Sequence, residues 1–277
     1  MNARVFPSFS GLNLDWFQSY VKLMSFANFR PNYYFREENN KYIIKTANRF
    51  WEFFQLFRLR YHAFKSKGIF TRLSHLDIDE YDFSCDHIVI ICKETNHVVG
   101  TYRVRPSTFT DDFYSQSEFS LDEFLLRKGG KLELGRACID PSYRDGAVID
   151  ILWRGIGKYS KLCHAKYLFG CSSVKTLDPL EAGKYYHYLK NNDSLIEEEN
   201  IAPLSKFKKE IPFLTSVETG DLSRELPPLL RVYLKAGAKV YGAPAFDEDF
   251  ECIDFLTIID VDKLEPQFAR RYFNKNV

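Results

Sequence analysis

The chain has 277 residues, 45% of them hydrophobic, with 25 Phe and 17 Tyr, so it can bury a large core, and disorder over most of its length is excluded. Lys plus Arg (38) nearly balances Asp plus Glu (37), and a net charge of +1 argues against a dedicated nucleic-acid binder. No apolar run approaches the roughly 20 residues of a membrane helix, the start lacks the apolar stretch and cleavage site of a secretory signal, and the cysteines form no CxxC pair. The expectation is a reduced, cytosolic chain.

Residues 1–40 are aromatic and irregular, with Leu14, Phe17, Val21 and Met24 at near-helical spacing. That stripe fits a helix docked on the main domain or an interfacial foot on a membrane. Tyr42–Thr46 reads as a strand, and Asn48 can cap a helix running to about Phe64. Its apolar stripe is Phe50, Phe53, Phe54, Phe57, Tyr61 and Phe64, with Arg58 and Arg60 off it. An acid-dense stretch follows: Asp77, Asp79, Glu80, Asp82 and Asp86. His87–Cys92 and His97–Arg105 then form an antiparallel hairpin about the polar turn Glu94–Asn96. A short helix covers Ser120–Arg127, and Lys131–Ile139 is a strand that ends at Asp140-Pro141. After the run YRDGA, a helix extends from about Ala147 to His164. Val148, Ile151, Leu152, Tyr159 and Leu162 form its apolar face, and Arg154, Lys158 and Lys161 form a basic stripe. Tyr167–Val174 is a buried strand, Leu180–Leu189 is helical, and residues 190–224 form a polar surface insertion. A short helix over Leu229–Ala236 and strands near Ala238–Ala243 and Cys252–Val261 finish the chain. Strands and helices in this order make one α/β sheet of mixed direction.

Several enzyme signatures are absent, among them GxSxG, the P-loop and HExxH, and nothing suggests a metal. Gly155-Ile-Gly157 begins a GxGxxG match, but Ser160 stands at the last glycine position and the run lies inside a predicted helix. Three features remain. The turn at Gly146, with Arg144 beside it and a helix N-terminus behind it, is a cradle for phosphate or pyrophosphate. Glu133 and Arg136 lie on a strand entering that turn, where side chains are rigidly held. Strict alternation sends them to opposite faces unless a bulge intervenes, and a structural ion pair explains them equally well. The acid stretch either attracts a cationic amine or is simply solvated.

The run LELGRACIDPSYRDGAVIDILWRGI (Leu132–Ile156) resembles the central motif of the bacterial ornithine lipid N-acyltransferases. These are L-ornithine Nα-acyltransferases, often labelled hemolysin-like, of the GNAT superfamily and related to acyl-homoserine-lactone synthases. LRYHAF (Leu59–Phe64), DEYDFSCDHIVI (Asp79–Ile90), VVGTYRVRP (Val98–Pro106), FYSQSEFSL (Phe113–Leu121) and the stretch Leu226–Asp260 agree in order. The resemblance implies a GNAT-like mixed central sheet flanked by helices, in a single domain over residues 41–277 with an extension at 1–40. It implies N-acyl transfer from a phosphopantetheine thioester to an amino acid's α-amine, as in lipid biosynthesis. No resident cofactor is implied; acyl-acyl carrier protein, or acyl-coenzyme A, is a co-substrate. By the same resemblance Glu133 matches the general base of the related lactone synthases, and Arg103 and Arg136 match those enzymes' paired arginines. Asp79 and Asp82 bind the acceptor. Arg144, Gly146, Ala147 and Val148 hold the pantetheine phosphate. Arg154, Lys158 and Lys161 dock the acidic carrier protein, although a solvated helix face explains that stripe as well. Cys138 is expected only to pack. Asp145 departs from the pattern, either capping the helix or disfavouring the extra phosphates of coenzyme A. The absence of Trp from residues 65–76 favours an amino acid acceptor over S-adenosylmethionine. An autoinducer-type synthase and a non-catalytic GNAT-like binding protein stay open. The expected location is the cytoplasm, with peripheral contact at the inner membrane as the limit.

Overall fold

The computed structural model describes residues 14–65, 75–197, 200–212 and 222–273. Residues 1–13, 66–74 and 213–221 fall outside them, and with these go most of the segment read for its missing Trp and parts of the extension and the insertion. The elements of the first half are α1 (Leu14–Met24), β1 (Arg36–Glu38), β2 (Tyr42–Thr46), α2 (Phe50–Lys65), β3 (Asp86–Cys92), β4 (His97–Pro106), α3 (Asp122–Leu126) and β5 (Gly130–Ile139). The second half holds α4 (Ala147–Leu162), β6 (Ala165–Val174), α5 (Pro179–Asn191), β7 (Leu195–Ile196), α6 (Leu222–Glu225), α7 (Pro228–Lys235), β8 (Lys239–Asp247), β9 (Cys252–Asp260) and α8 (Pro266–Phe273).

The strands form one mixed sheet in the order β1-β2-β3-β4-β5-β6-β9-β8-β7. From β1 to β5 each strand pairs antiparallel with the next. Then α4 crosses over and β6 returns parallel to β5, as a helical crossover requires. On its far side β6 pairs antiparallel with β9 along Tyr167–Val174. The central strands are buried on both faces, which is why β3 reads as an unbroken apolar run. Ile88 and Ile90 point to one layer, where α4 packs Val148, Leu152, Trp153 and Ile156. Val89 and Ile91 point to the other, where α2 packs Phe53, Leu56 and Phe57.

Two departures from regularity shape the middle of the sheet. Pairing of β5 with β6 runs only from Gly130 opposite Ala165 to Glu133 opposite Phe169. Beyond that point β5 follows β4 to Ile139 while β6 follows β9 to Val174, so the two parallel strands part. Where they part, Gly170 lies against β5 so closely that a Cβ would come within 2.2 Å of the Leu134 carbonyl oxygen. The second departure is a bulge. Arg103 pairs with Gly135 but Thr101 pairs with Cys138, so β5 carries one residue more than β4 across this step. Arg136, in the bulge, has φ +50°, a left-handed conformation uncommon outside glycine.

Several expectations are corrected by packing. Val21 and Met24 of α1 are exposed, and the helix end docks through Leu23 and Phe26 instead. The amide oxygen of Asn48 takes the Lys45 ammonium at 2.6 Å, while the Glu52 carboxylate accepts the N–H groups of Asn48 and Arg49 and so caps α2. Phe54 and Leu162 face water, and Arg60, read as lying off the apolar stripe, is fully buried. The 190–224 segment is not wholly superficial: Ile201 is buried among Phe119, Tyr241 and Leu256. Helix α8 was not expected; it packs Phe268 on Trp153 of α4.

Candidate active site

The acid stretch becomes a buried charge ladder. Arg60 on α2 donates to Asp77 at 2.8 Å and forms two bonds with Asp82, at 2.7 and 3.1 Å. A guanidinium matches a carboxylate in this two-pronged way, and pairing is what permits such burial. Asp79 and Asp82 cap the turn Glu80–Phe83 reciprocally, a capping box that fixes both carboxylates. Asp79 then receives Arg103 at 2.6 and 2.7 Å and Arg136 at 3.0 Å. Burial opposes the charge of Asp79, but Arg103 and Arg136 outweigh it and hold the carboxyl well below the usual range. The same contest, with Arg60 and Arg103 prevailing, keeps Asp82 ionised. His87 has no comparable support: burial dominates and lowers its pKa to about 4, so it is neutral. Asp86 binds the N–H groups of Asn32 and Tyr33 and the Tyr159 hydroxyl, tying the segment before β1 to α4.

The bulge brings Arg136 round to the Arg103 side of the sheet, against the simple alternation of β5. The Tyr114 ring takes both guanidiniums over it, at 5.7 and 5.8 Å. Tyr114 also leads to Glu133, the last β5 residue paired with β6. Glu133 Oε2 accepts from Tyr114 N–H at 3.0 Å, and Oε1 accepts from Ser115 N–H and Oγ, both at 2.7 Å. Burial raises the Glu133 pKa, with the Ser115 and Tyr114 bonds acting the other way. Ser115 Oγ in turn accepts from Cys171 Sγ at 3.6 Å. Beyond it lie three more buried acids, Glu118, Asp247 and Asp254. Nothing in the sequence singled out these three, because Glu118 is more than a hundred residues from the two aspartates and a lone Asp in an apolar strand, as Asp254 is, carries no spacing motif.

The structure gathers Asp79, Arg103, Arg136 and Glu133 in one place. It gives Asp82 other work, sealed from water between Arg60 and Arg103, so that Asp79, with 16% of its side chain exposed, is the part-open acid. Arg144, Gly146, Ala147 and Val148 lie apart, at the start of α4. Gly146 has φ +91° and precedes the first helical residue, and Asp145 Oδ1 accepts from Ala147 N–H at 2.9 Å, so Asp145 does cap the helix. A depression of about 660 Å³ opens beside it, lined by β1–β2 residues and by Ala147, Asp150 and Arg154. The basic stripe on α4 is partly offset, since Arg154 pairs with Asp150 at 3.1 Å and Lys158 with Glu37 at 2.8 Å. Cys138 is buried as expected of a packing residue. No helix among the described residues is long and apolar enough to cross a membrane.

Residues 59–154 match the family model of the acetyltransferase (GNAT) domain. This stretch runs from α2 into α4 and so includes the ladder, Glu133 and the Gly146 turn. The L-ornithine N(alpha)-acyltransferase of Rhizobium meliloti (strain 1021) is 28% identical over 208 residues, 71% of this chain and 70% of that protein. The enzyme of the same name from Rhodobacter capsulatus is 28% identical over 79% of this chain and 90% of its own, and that of Brucella abortus is 24% identical over 86% and 87%. Among solved structures, the chain is similar to the acyl-homoserine-lactone synthase LasI, with TM-score 0.49 and 13% identity over 85% of this chain and 96% of that one. It is also similar to FeeM, an N-acyl amino acid synthase from uncultured soil microbes, with TM-score 0.44 and 11% identity over 83% and 93%. With a GNAT domain at its centre and curated relatives matched over most of its length, the chain is an N-acyltransferase related to the bacterial L-ornithine Nα-acyltransferases.

Proposed function

We propose that the chain transfers a fatty acyl group from the phosphopantetheine thioester of an acyl carrier protein to the α-amine of ornithine or a similar amino acid. The names of the curated relatives support the acceptor. The observation that carries the chemistry is Glu133, a buried carboxylate on the last paired residue before β5 and β6 part.

An α-amine has a pKa near ~8, so part of it is protonated at neutral pH. Glu133, directly or through water, takes a proton as nitrogen attacks the thioester carbonyl. The C–N bond forms, the C–S bond breaks, and the departing thiolate takes up a proton. Burial moves Glu133 toward the working pH, which suits a base. Its Oε2 accepts a single hydrogen bond and keeps a lone pair for the task. Backbone N–H groups of β5 beyond Glu133 have lost β6 as a partner and can steady the oxyanion, an effect often worth about 10²–10³ in rate. Asp79, clasped by Arg103 and Arg136, marks the acceptor end. The pantetheine phosphate lies against the free N–H groups at the start of α4, including Val148, with Arg144 adding charge; Gly146 and Ala147 shape the turn. Lys161, with Arg154 and Lys158, faces the acidic carrier protein, though Asp150 and Glu37 weaken that pull.

The test is lipid mass spectrometry of a heterologous host with and without the gene. A new N-acyl amino acid is expected, and Glu133→Gln should reduce it at least about a hundredfold while the protein stays folded by circular dichroism. Undiminished product from Glu133→Gln would remove Glu133 from the mechanism. Product formation that depends on S-adenosylmethionine would move the reading to a lactone synthase.

A further inference from the structure

The buried acids beside Glu133 take no part in the transfer step. Glu118 follows the turn Tyr114–Ser117, whose first two residues hold Glu133. It is 1% exposed, and neither carboxylate oxygen has a partner at good hydrogen-bond geometry, although the Tyr114 and Cys171 side chains lie close enough to favour its charged form. Oxygens of Glu118, Asp247 and Asp254 lie within 4.8 Å of one another. The two aspartates are each held. Asp254 accepts from Ser173 Oγ at 2.6 Å and Cys252 Sγ at 3.3 Å, and Asp247 Oδ1 accepts from the N–H groups of Asp249 and Phe250. The nearby cation, Arg136, stacks on Phe250 at 5.5 Å and already serves Asp79. Lys206 acts on Asp247 as well, from the surface, so the three buried carboxyls are only partly offset by positive charge. A buried carboxyl without a well-formed hydrogen bond is unfavourable when charged, and a cation arriving with a ligand would relieve it.

Geometry narrows what that group is. The site is one side chain from the base: Ser115 Oγ touches Glu133 at 2.7 Å and Cys171 Sγ at 3.6 Å, and Cys171 flanks Glu118. The two nitrogens of an amino acid with a three-methylene amine side chain lie roughly 6 Å apart when extended. Glu118 closes the single 3-10 turn that carries Ser115, so it stands one turn beyond the residue that holds Glu133. An ammonium offers three donors, which Glu118's two open oxygens and one aspartate oxygen can accept. A calcium ion wants six to eight oxygens, and here Asp247 Oδ1 and both Asp254 oxygens already accept local donors, which suits an ammonium better. Burial and the neighbouring Asp254 push the Glu118 pKa up to about 9 without a ligand, so a cation entering here takes the place of a proton.

We propose that Glu118 and Asp254 form a subsite for the side-chain ammonium of the acceptor, selecting amino acids with two amines over neutral ones of the same shape. This rests on the acyl-transfer reading above and names what that site chooses.

The test compares ornithine with norvaline, which keeps the carbon chain and lacks the second amine, using wild type, Glu118→Gln and Asp254→Asn with an acyl-carrier-protein thioester as donor. Calorimetric binding of each amino acid runs in parallel. Wild type is expected to prefer ornithine by about a hundredfold or more in kcat/KM, as a site built for a polar group does. Each variant should shrink that preference at least about tenfold, chiefly through KM for ornithine, and weaken ornithine binding to match. An unchanged preference in both folded variants overturns the proposal. So does thermal stabilisation by magnesium or calcium that Glu118→Gln abolishes while the preference stays, since that outcome makes the cluster a metal site. If wild type acylates neither amino acid, the acyl-transfer reading falls. The binding arm then decides alone: loss of ornithine binding in Glu118→Gln supports the subsite, and equal binding overturns it.

Discussion

Glu118 and His87 are buried with opposite consequences for stability. Glu118 is raised to about 9, so its contribution is fully present below the unfolded value near 4.5 and is lost as pH rises through 9. His87 is lowered to about 4, so its contribution is present above 6.5 and is lost as pH falls through 4. Between pH 4.5 and 6.5 the two slopes oppose each other, and only a difference between variants separates them. Glu118→Gln is expected to stabilise the free protein relative to wild type least at pH 4.5 and increasingly up to pH 9, by on the order of a few kcal/mol. Urea denaturation at pH 4.5, 6.5 and 8.5 measures this, and a difference that shrinks with rising pH would show that Glu118 is charged in the fold. Sequence could not supply this residue. A lone Glu in a polar stretch carries no periodic signal, and its burial comes from β8 and β9, which are distant in the chain. Arg60 was misread for the same reason, because helical spacing registers apolar faces and not carboxylates arriving from another loop.

The long elements were legible where periodicity was strong. The β3–β4 hairpin, β5, α4 and β6 lie where their patterns put them, while the bulge at Arg136 was invisible because one inserted residue leaves no mark on composition. Gly155 and Gly157 show how a pattern can be right and its meaning different. They let α4 sit close to its neighbours: a Cβ on Gly155 would lie 2.3 Å from Ile44 Cδ1, and one on Gly157 would lie 2.0 Å from the Tyr272 carbonyl oxygen. Gly157→Ala should therefore push α8 off α4 and cost about 1–3 kcal/mol, lowering the melting temperature by a few degrees in a calorimetric scan. An unaltered melting temperature would mean that α8 contributes little to the fold. Gly170→Ala meets backbone on β5 and should displace Glu133 as well, so activity should fall more than stability does.

At the scale of the whole molecule, the sheet is a meander on one side and an inverted addition on the other, with β9 supplying the outer partner of β6. A chain truncated after Asp247 would leave Tyr167–Val174 unpaired along one edge and uncover Phe169 and Leu168. Such a fragment is expected to aggregate, by light scattering, at concentrations where the full chain stays monodisperse. A fragment that stays monodisperse would show that β6 is protected by something other than β9.

The placement of β9 also bears on synthesis. A ribosome releases β6 well before β9, with α5, α7 and β8 still to come between them. Throughout that interval the nascent polypeptide displays a long apolar edge with open amide and carbonyl groups, a template for pairing with a neighbouring nascent chain on the same messenger. Chaperone cover while Pro179 to Glu251 is being made is therefore expected to raise the yield of folded protein.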